Sequence, residues 1–134
     1  MSTLFVVEDN EMDQFIIKFN LIKHPVFNKV SYYNGGLPLI DYLIKHQNNS
    51  ENLPDAIFLD LSMPEYDGWE VLDALATIYP MLSEKISVYI VSASIFNKDI
   101  ARAQKYYFVK NFISKPFTSD NLISISKDMV NLSA

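Results

Sequence analysis

The 134-residue sequence has no cysteine, only three glycines and fewer basic than acidic residues. The lack of cysteine excludes disulfides, thiolate metal sites and cysteine nucleophiles, and it agrees with a reducing compartment. The net charge of −5 comes from scattered acids, so the chain offers no basic groove for nucleic acid and no patch for an anionic membrane. We therefore expect no direct binding of nucleic acid.

Long apolar segments are also missing, and none approaches the length of a membrane span. The apolar run near the N-terminus is too short for a signal peptide and lacks a basic flank. We therefore expect a cytoplasmic protein that does not contact membranes. Because 49% of its residues are hydrophobic, the chain can build its own core, and its length predicts one domain over residues 1–134 with no output domain.

Strand and helix patterns alternate along the whole chain. Short apolar or β-branched runs predict five strands, at residues 4–7, 26–33, 55–60, 86–91 and 109–113. Helical spacing of apolar residues predicts helices over about 11–23, 37–44, 71–78 and 97–106, and a last helix that Thr118 or Ser119 can N-cap. Five strand–helix units in so short a chain predict an α/β protein, with one parallel sheet and helices on both of its faces.

Four of the predicted helices have a distinct apolar face, and the fourth helix in chain order has a weaker one. The faces are Phe15, Ile16, Phe19 and Ile22; Leu37, Ile40, Leu43 and Ile44; Val71, Leu72, Leu75 and Ile78; and Leu122, Ile125, Met129 and Leu132. The fourth helix runs into Tyr106-Tyr107-Phe108 without a glycine C-cap, so we expect an irregular end there. We interpret those aromatic residues, and Trp69, as packing residues.

The third predicted strand is an unbroken apolar run that ends at Asp60, and Pro64 and Gly68 punctuate the loop after it. Its carboxylate therefore lies at the carboxyl end of a parallel strand, which is where open α/β sheets bind ligands. The alternative is an ordinary aspartate that caps a loop. This segment alone does not decide between the two.

The carboxyl ends of the other strands supply further polar side chains, namely Glu8, Asp9, Ser92 and Lys115. A parallel sheet brings these ends to one edge, where the carboxylates would repel each other unless a cation lay among them. Hard oxygen ligands of this kind suit Mg²⁺. Lys115 can pair with a phosphoryl oxygen, Ser92 can donate a hydrogen bond to another, and Asp60 can act as nucleophile. Together these residues predict a site that accepts a phosphoryl group.

The motifs Glu8-Asp9, Asp60-x-x-Met63-Pro64-x-x-Asp67-Gly68, Ser92-Ala93 and Lys115-Pro116-Phe117 resemble those of the receiver domain of two-component response regulators. Each motif is weak alone, but the combination is specific and spans nearly the whole chain. The resemblance implies a flavodoxin-like (βα)5 fold, which is a three-layer, doubly wound, five-stranded parallel sheet in the order 2-1-3-4-5. It also implies that Asp60 is the phosphoacceptor.

The resemblance further implies roles for the residues around the phosphoacceptor. Mg²⁺ (or Mn²⁺) would be bound by Asp9, Asp60 and the backbone carbonyl of Ser62, with Glu8 holding a water of the metal. Ser92 and Lys115 would bind the phosphoryl group. A cis peptide bond is expected before Pro116.

The resemblance assigns a switch role to Ser92 and to the aromatic position three residues before Lys115, which is Phe112. Phe112 has the bulk to couple through burial but lacks a tyrosine hydroxyl. We expect Ser62 and Ser94 to tune the lifetime of the phosphoryl group, because both lie two residues after a site residue and neither is a strong base. The signal would leave by the fourth helix, fifth strand and last helix, with candidate exposed positions Phe96, Lys98, Arg102, Lys105 and Tyr106.

The function predicted is a phosphorylation-dependent switch, not a turnover enzyme. Its partners would be a histidine kinase or histidine phosphotransfer protein and a separate target protein. A homodimer through the same face is also possible.

There are three alternatives to this function. A phosphatase with an aspartyl-phosphate intermediate would need a second aspartate where Ser62 stands. A flavin carrier would need a Ser/Thr/Gly-rich loop in place of Glu8 and Asp9. A receiver-shaped interaction module that is never phosphorylated is a further alternative.

Overall fold

The computed structural model describes residues 2–93 and 96–133, with the backbone alone for residues 131–133. The strands are β1 (Thr3–Val7), β2 (Lys29–Tyr33), β3 (Ala56–Leu59), β4 (Ser87–Ser92) and β5 (Val109–Ser114). The helices are α1 (Glu11–Lys23), α2 (Gly36–Lys45), α3 (Gly68–Ile78), α4 (Asn97–Ala103) and α5 (Ser119–Ser133), with short 3-10 turns at Ser50–Asn52 and Tyr79–Met81.

All strand pairs are parallel, and the sheet order β2-β1-β3-β4-β5 confirms the predicted flavodoxin-like topology. Two apolar clusters cover the two faces of the sheet. One cluster packs residues of α2, α3 and α4 against the sheet, and the other packs residues of α1 and α5. The predicted three-layer arrangement is therefore confirmed, and no helix of the described residues is long and apolar enough to cross a membrane.

Several element boundaries differ from the prediction, and two of these differences, at the start of β2 and the end of α4, have a clear structural cause. Strand β2 begins at Lys29 instead of residue 26, because the amides of Asn28 and Lys29 both bind the carbonyl of Ser2 and the chain joins the sheet only there. Helix α4 ends at Ala103 instead of residue 106. The chain then turns so that the Phe108 side chain, which is fully buried, can enter the core, and this accounts for the expected irregular helix end.

The apolar face predicted for α1 is wrong at three of its four residues. Phe15, Phe19 and Ile22 are mostly exposed, whereas Ile16 packs against the core beside the buried Ile17 and Leu21. Helix α1 carries apolar residues on opposite sides, so periodicity alone could not choose between them. In α2, Ile40 and Leu43 are buried as predicted, but Leu37 and Ile44 are about half exposed and Leu39 takes their place in the core.

The faces of the other two helices are confirmed where the structure describes them. All four predicted residues of α3 are buried, as are Leu122 and Ile125 of α5, and Met129 packs against the same cluster. Leu132 lies outside the described side chains. The N-cap of α5 is Thr118, whose hydroxyl accepts a hydrogen bond from the amide of Asn121 at 3.2 Å.

Candidate functional site

The polar residues at the carboxyl ends of β1, β3, β4 and β5 converge at one edge of the sheet. Val7 pairs with Leu59, so the next residues, Glu8 and Asp60, lie side by side. The amide of Lys115 donates to the carbonyl of Ser92 at 2.9 Å, which joins the ends of β4 and β5. The peptide bond between Lys115 and Pro116 is cis, as expected from the resemblance.

Three carboxylates form the acidic part of this edge. Ligand atoms of Glu8, Asp9 and Asp60 lie within 4.8 Å of one another. Glu8 and Asp60 are almost fully buried, with 1% and 4% of their surface exposed. Asp60 Oδ1 accepts a hydrogen bond from the amide of Ser62 at 3.3 Å. A charge so deeply buried and so weakly hydrogen-bonded is costly, so this edge needs cations to balance it.

Lys115 supplies one such cation. Its Nζ lies 2.7 Å from Glu8 Oε1, 2.8 Å from Asp13 Oδ2 and 3.5 Å from Asp60 Oδ1. Sequence reasoning missed Asp13, which lies in the first turn of α1. An acid in that position has an ordinary explanation in the helix dipole, so nothing in the sequence marked it as a partner of Lys115.

Burial raises the pKa of Glu8 from its usual value near 4.5 to about 7, with Lys115 opposing this rise and the charge of Asp60 adding to it. Burial alone would lower the pKa of Lys115. The hydrogen bond to Asp13, the close contact with Glu8 and the charge of Asp60 outweigh that effect and raise the pKa to about 12. Lys115 therefore keeps its charge among the carboxylates, and Glu8 holds a proton more readily than an ordinary glutamate does.

The loop after β3 is held against the site by the start of α3. Asp67 is the N-cap of α3 and forms a capping box with Glu70, so both side chains bind each other's backbone amides. The amide of Gly68 donates to the carbonyl of Leu61 at 3.0 Å. A Cβ atom on Gly68 would lie 2.6 Å from the carbonyl oxygen of Asp60, so only glycine permits this approach.

A cleft of about 490 Å³ opens beside the loop after β3 and gives access to Ser92. Its lining includes Ser62, which is exposed, and Asp67 and Asp99. Ser92 is itself buried. Ser94, the other residue expected to tune the phosphoryl lifetime, lies outside the described residues.

Phe112 lies on β5 opposite Ile90 of β4, on the sheet face covered by α2, α3 and α4. Its side chain is half-buried, so it packs against the core and is also partly exposed to solvent. Ser92 lies two residues beyond Ile90, toward the site. The predicted switch residues therefore lie on neighbouring strands.

The surface of α4 differs from the prediction at one position. Phe96, Lys98, Arg102 and Lys105 are exposed as expected, but Tyr106 is half-buried and its hydroxyl donates to Asp73 of α3. Its neighbour Tyr107 is the exposed aromatic residue instead, at 70%. Trp69 of α3 packs under Arg102, whose guanidinium carbon lies 4.1 Å from the ring centroid.

The carboxylate cluster suits a hard divalent cation. Glu8 Oε1 is a fully buried oxygen to which no described residue donates an aligned hydrogen bond, although Lys115 Nζ pairs with its charge. Glu8, Asp9 and Asp60 offer only oxygen ligands, as Mg²⁺ and Mn²⁺ prefer, and their charges exceed what Lys115 can neutralise. These residues therefore fit the metal that the resemblance implies.

A family model and similar proteins of known sequence or structure indicate the same family. The sequence model of the response regulator receiver domain family matches residues 4–127. Chemotaxis protein CheY of Listeria monocytogenes is 29% identical, and the match covers 92% of this chain and 93% of that protein.

Two solved structures are also similar to this chain. The phosphorylated cyanobacterial phytochrome response regulator RcpA is 32% identical, with a TM-score of 0.70 and coverage of 98% of this chain and 92% of that one. The Mn²⁺-bound form of response regulator Rcp1 is 25% identical, with a TM-score of 0.71 and coverage of 96% and 91%. Receiver domains are switches of two-component signalling, generally not dedicated enzymes, and this chain belongs to the response regulator receiver domain family.

Proposed function

We propose that this protein is a phosphorylation-dependent switch in a two-component phosphorelay, in which Asp60 accepts a phosphoryl group from a phosphohistidine donor. The observation that carries the proposal is the buried Asp60 carboxylate, to which the described residues offer one weak amide hydrogen bond and Lys115 Nζ at 3.5 Å. A carboxylate held only for structural reasons would be expected to have its acceptor positions filled. Asp60 instead keeps capacity for a new bond.

In the transfer step an oxygen of Asp60 attacks phosphorus. The new O–P bond forms as the bond from phosphorus to the histidine nitrogen breaks, and the histidine keeps the electron pair. Lys115 can pair with a phosphoryl oxygen, and Ser92 can donate a hydrogen bond to another. Asp9, Asp60 and the carbonyl of Ser62 would hold Mg²⁺ or Mn²⁺, with Glu8 binding a water of the metal, and the ion would supply positive charge to the phosphoryl oxygens.

Intact-mass measurement tests this proposal. The protein is incubated with acetyl phosphate and MgCl₂, with EDTA in a parallel sample. We expect one phosphoryl mass in the first sample, none in the second and none for Asp60→Asn. An Asp60→Asn protein that gains the same mass would contradict the proposal, and an unmodified wild type would favour the interaction module that is never phosphorylated.

We expect the aspartyl phosphate to hydrolyse slowly and without a dedicated base. Position 62 carries an exposed serine, which cannot serve as the general acid that an aspartyl-phosphate phosphatase requires. Neither Ser62 nor Ser94 is bulky enough to exclude the attacking water. Bulky apolar residues at both positions should therefore lengthen the phosphoryl lifetime, measured by loss of the phosphoryl mass after the donor is removed.

The proposed output face comprises α4, β5 and α5. A phosphoryl group on Asp60 would draw the Ser92 hydroxyl inward, and Phe112 could then fill the vacated space by a rotamer change. The changed face would bind a separate target protein, a phosphotransfer protein or a second copy of the chain. Backbone NMR shifts with and without beryllofluoride test this, since silence between residues 96 and 112 would mean that the signal leaves elsewhere.

The proposed input face is the outer side of α1. Met12, Phe15, Phe19 and Ile22 recur at helical spacing and are each more than half exposed. This apolar stripe starts beside Asp13, which contacts Lys115 of the site, so it adjoins the place where a phosphohistidine must arrive. A helix of the donor protein would cover it. Phe15→Ser with Phe19→Ser should slow transfer from a histidine donor but not from acetyl phosphate.

A further inference from the structure

Asp13 and Lys115 form a contact to which the proposed phosphoryl transfer assigns no role. Lys115 Nζ donates a hydrogen bond to Asp13 Oδ2 at 2.8 Å, across 102 residues of sequence. An ammonium group has three N–H donors. In this structure two short contacts occupy it, to Glu8 at 2.7 Å and to Asp13, while Asp60 lies farther away at 3.5 Å.

The Asp13 carboxylate is held in place by a closed circuit of three hydrogen bonds and one ion pair. Lys115 pairs with Glu8 Oε1, and Glu8 Oε2 accepts from the amide of Asn10 at 3.1 Å. The Asn10 side chain caps α1 and accepts from the amide of Asp13 at 2.9 Å. Asp13 closes the circuit through its bond to Lys115. The N-cap of α1 therefore sets the position of the carboxylate that holds the lysine.

The partners of Lys115 differ in how easily each could be released. Side-chain exposure is 1% for Glu8 and 4% for Asp60 but 32% for Asp13. A buried carboxylate that loses its cation has no water to replace it, whereas a partly exposed one is solvated at modest cost. Asp13 is thus the partner that can be given up when a phosphoryl group arrives.

We propose that Asp13 is a positioning residue that holds Lys115 in the unphosphorylated state and is displaced from it by the phosphoryl group on Asp60. The inference rests on the proposed function, since it describes how the same site exchanges one anion for another. Asp13 competes with the phosphoryl oxygens for the ammonium group. The bond from Asp13 to Lys115 therefore favours the resting state and makes phosphorylation less favourable.

The first test compares phosphorylation by acetyl phosphate with MgCl₂ in the wild type, in Asp13→Asn and in Glu11→Gln. Glu11 is an exposed acid in the same turn of α1, so its variant removes an equal charge without touching the Lys115 contacts found among the described residues. A partly exposed charged hydrogen bond is worth about 1 kcal/mol, so Asp13→Asn should raise the initial rate by about three- to tenfold. Glu11→Gln should stay within about twofold of the wild type.

The second test follows the Asp13 carboxyl carbon by ¹³C NMR as beryllofluoride is added with Mg²⁺. Displacement predicts a shift of that resonance toward the position of a free aspartate. The Asp13 resonance of the same protein with Mg²⁺ alone is the reference, because it separates the effect of the metal from that of the phosphoryl mimic. A residue that merely stabilised α1 would keep its resonance on addition of the mimic.

The outcomes separate the inference from the proposed function. A wild type that gains no phosphoryl mass would overturn both. If the wild type is phosphorylated but Asp13→Asn reacts no faster than Glu11→Gln, or more slowly, Asp13 does not compete for Lys115. An Asp13 resonance that stays in place on addition of beryllofluoride would overturn the inference as well. Urea unfolding of Asp13→Asn confirms that the rates compare folded proteins.

Discussion

Two aspartates flank β3, and they are held in opposite ways. At the amino end, Asp55 Oδ2 accepts a hydrogen bond from the amide of Thr3 at 2.7 Å, and its own amide and carbonyl bind Thr3 and Ser87. At the carboxyl end, Asp60 is more deeply buried, yet among the described residues its carboxylate has one longer hydrogen bond, from the amide of Ser62 at 3.3 Å. The better-buried charge thus has the weaker hydrogen bonding.

This difference shows how a structural acid can be told from a reactive one. Asp55 fastens the start of β3 to the start of β1, and its short bond leaves it little to gain from another partner. Asp60 lies among other carboxylates and shares Lys115 with two of them, so it gains more from a new cation or a new covalent bond. Both residues are aspartates next to the same strand, so the difference between them comes from their hydrogen-bonding and ionic partners.

The same substitution at both ends should shift stability in opposite directions. Asp60→Asn removes one of several crowded negative charges, so we expect it to raise the free energy of unfolding by about 1–2 kcal/mol in EDTA. Asp55→Asn weakens a charged hydrogen bond to a neutral one and should lower the free energy by about 1 kcal/mol. Urea unfolding at pH 7.5 measures both. Equal losses would mean that Asp60 is also a structural acid.

The tight turn at the carboxyl end gives the second contrast. Gly68→Ala places a Cβ 2.6 Å from both the Asp60 carbonyl oxygen and the Leu61 Cα, so the loop that follows Asp60 must shift. We expect a loss of about 2 kcal/mol and slower phosphorylation. The matched control is Gly35→Ala, since a Cβ added there would meet nothing within 4 Å and the φ of −168° suits any residue. Similar losses in both variants would contradict the steric argument.

Most of the site could be predicted because topology alone brings the strand ends together. Glu8, Asp60 and Lys115 each follow a strand and Ser92 ends one, and a parallel sheet brings these strand ends to the same edge. Asp13 could not be predicted, since its contact with Lys115 depends on how α1 rotates against the sheet. That rotation was itself predicted wrongly.

The rotation of α1 depends on a polar residue. Asn20 lies on the buried face, where its side chain donates to the carbonyl of Phe117 at 3.2 Å and accepts from the Ser119 hydroxyl at 2.9 Å. Phe15 and Phe19 consequently lie on the outside. A hydrophobic pattern assigns asparagine to solvent, so a buried asparagine that joins two elements reverses the predicted face.

The third prediction concerns how the free energy of unfolding changes with pH through the carboxyl group of Glu8. Because burial raises its pKa in the folded state from about 4.5 to about 7, folding favours the protonated form. The contribution of Glu8 to the free energy of unfolding is therefore present in full below pH 4.5 and is lost as the pH rises to 7 and above. We expect a loss on the order of 2 kcal/mol over this range in EDTA.

Urea unfolding of the wild type and Glu8→Gln between pH 5 and 8 isolates this contribution. The variant cannot titrate at position 8, so its stability should fall less over the same range. If both proteins show the same slope, Glu8 is ionised throughout and Lys115 neutralises it fully.

The smallest effect should come from Tyr89, which tests how far the comparison of Asp55 and Asp60 extends. Its hydroxyl is fully buried in β4, and no described residue hydrogen-bonds to it. Missing partners would suggest a functional group by the reasoning applied to Asp60, yet Tyr89 packs against Phe58 on the α1 and α5 side of the sheet, away from the carboxylates. Leaving a neutral hydroxyl unpaired costs far less free energy than leaving a carboxylate unpaired, so a stable core can tolerate it.

Tyr89→Phe should therefore leave phosphorylation unchanged and raise the free energy of unfolding by about 0.5–1 kcal/mol. A loss of stability would mean that the hydroxyl has a partner, and a loss of phosphorylation would mean that missing partners mark function for neutral groups as well as for charges.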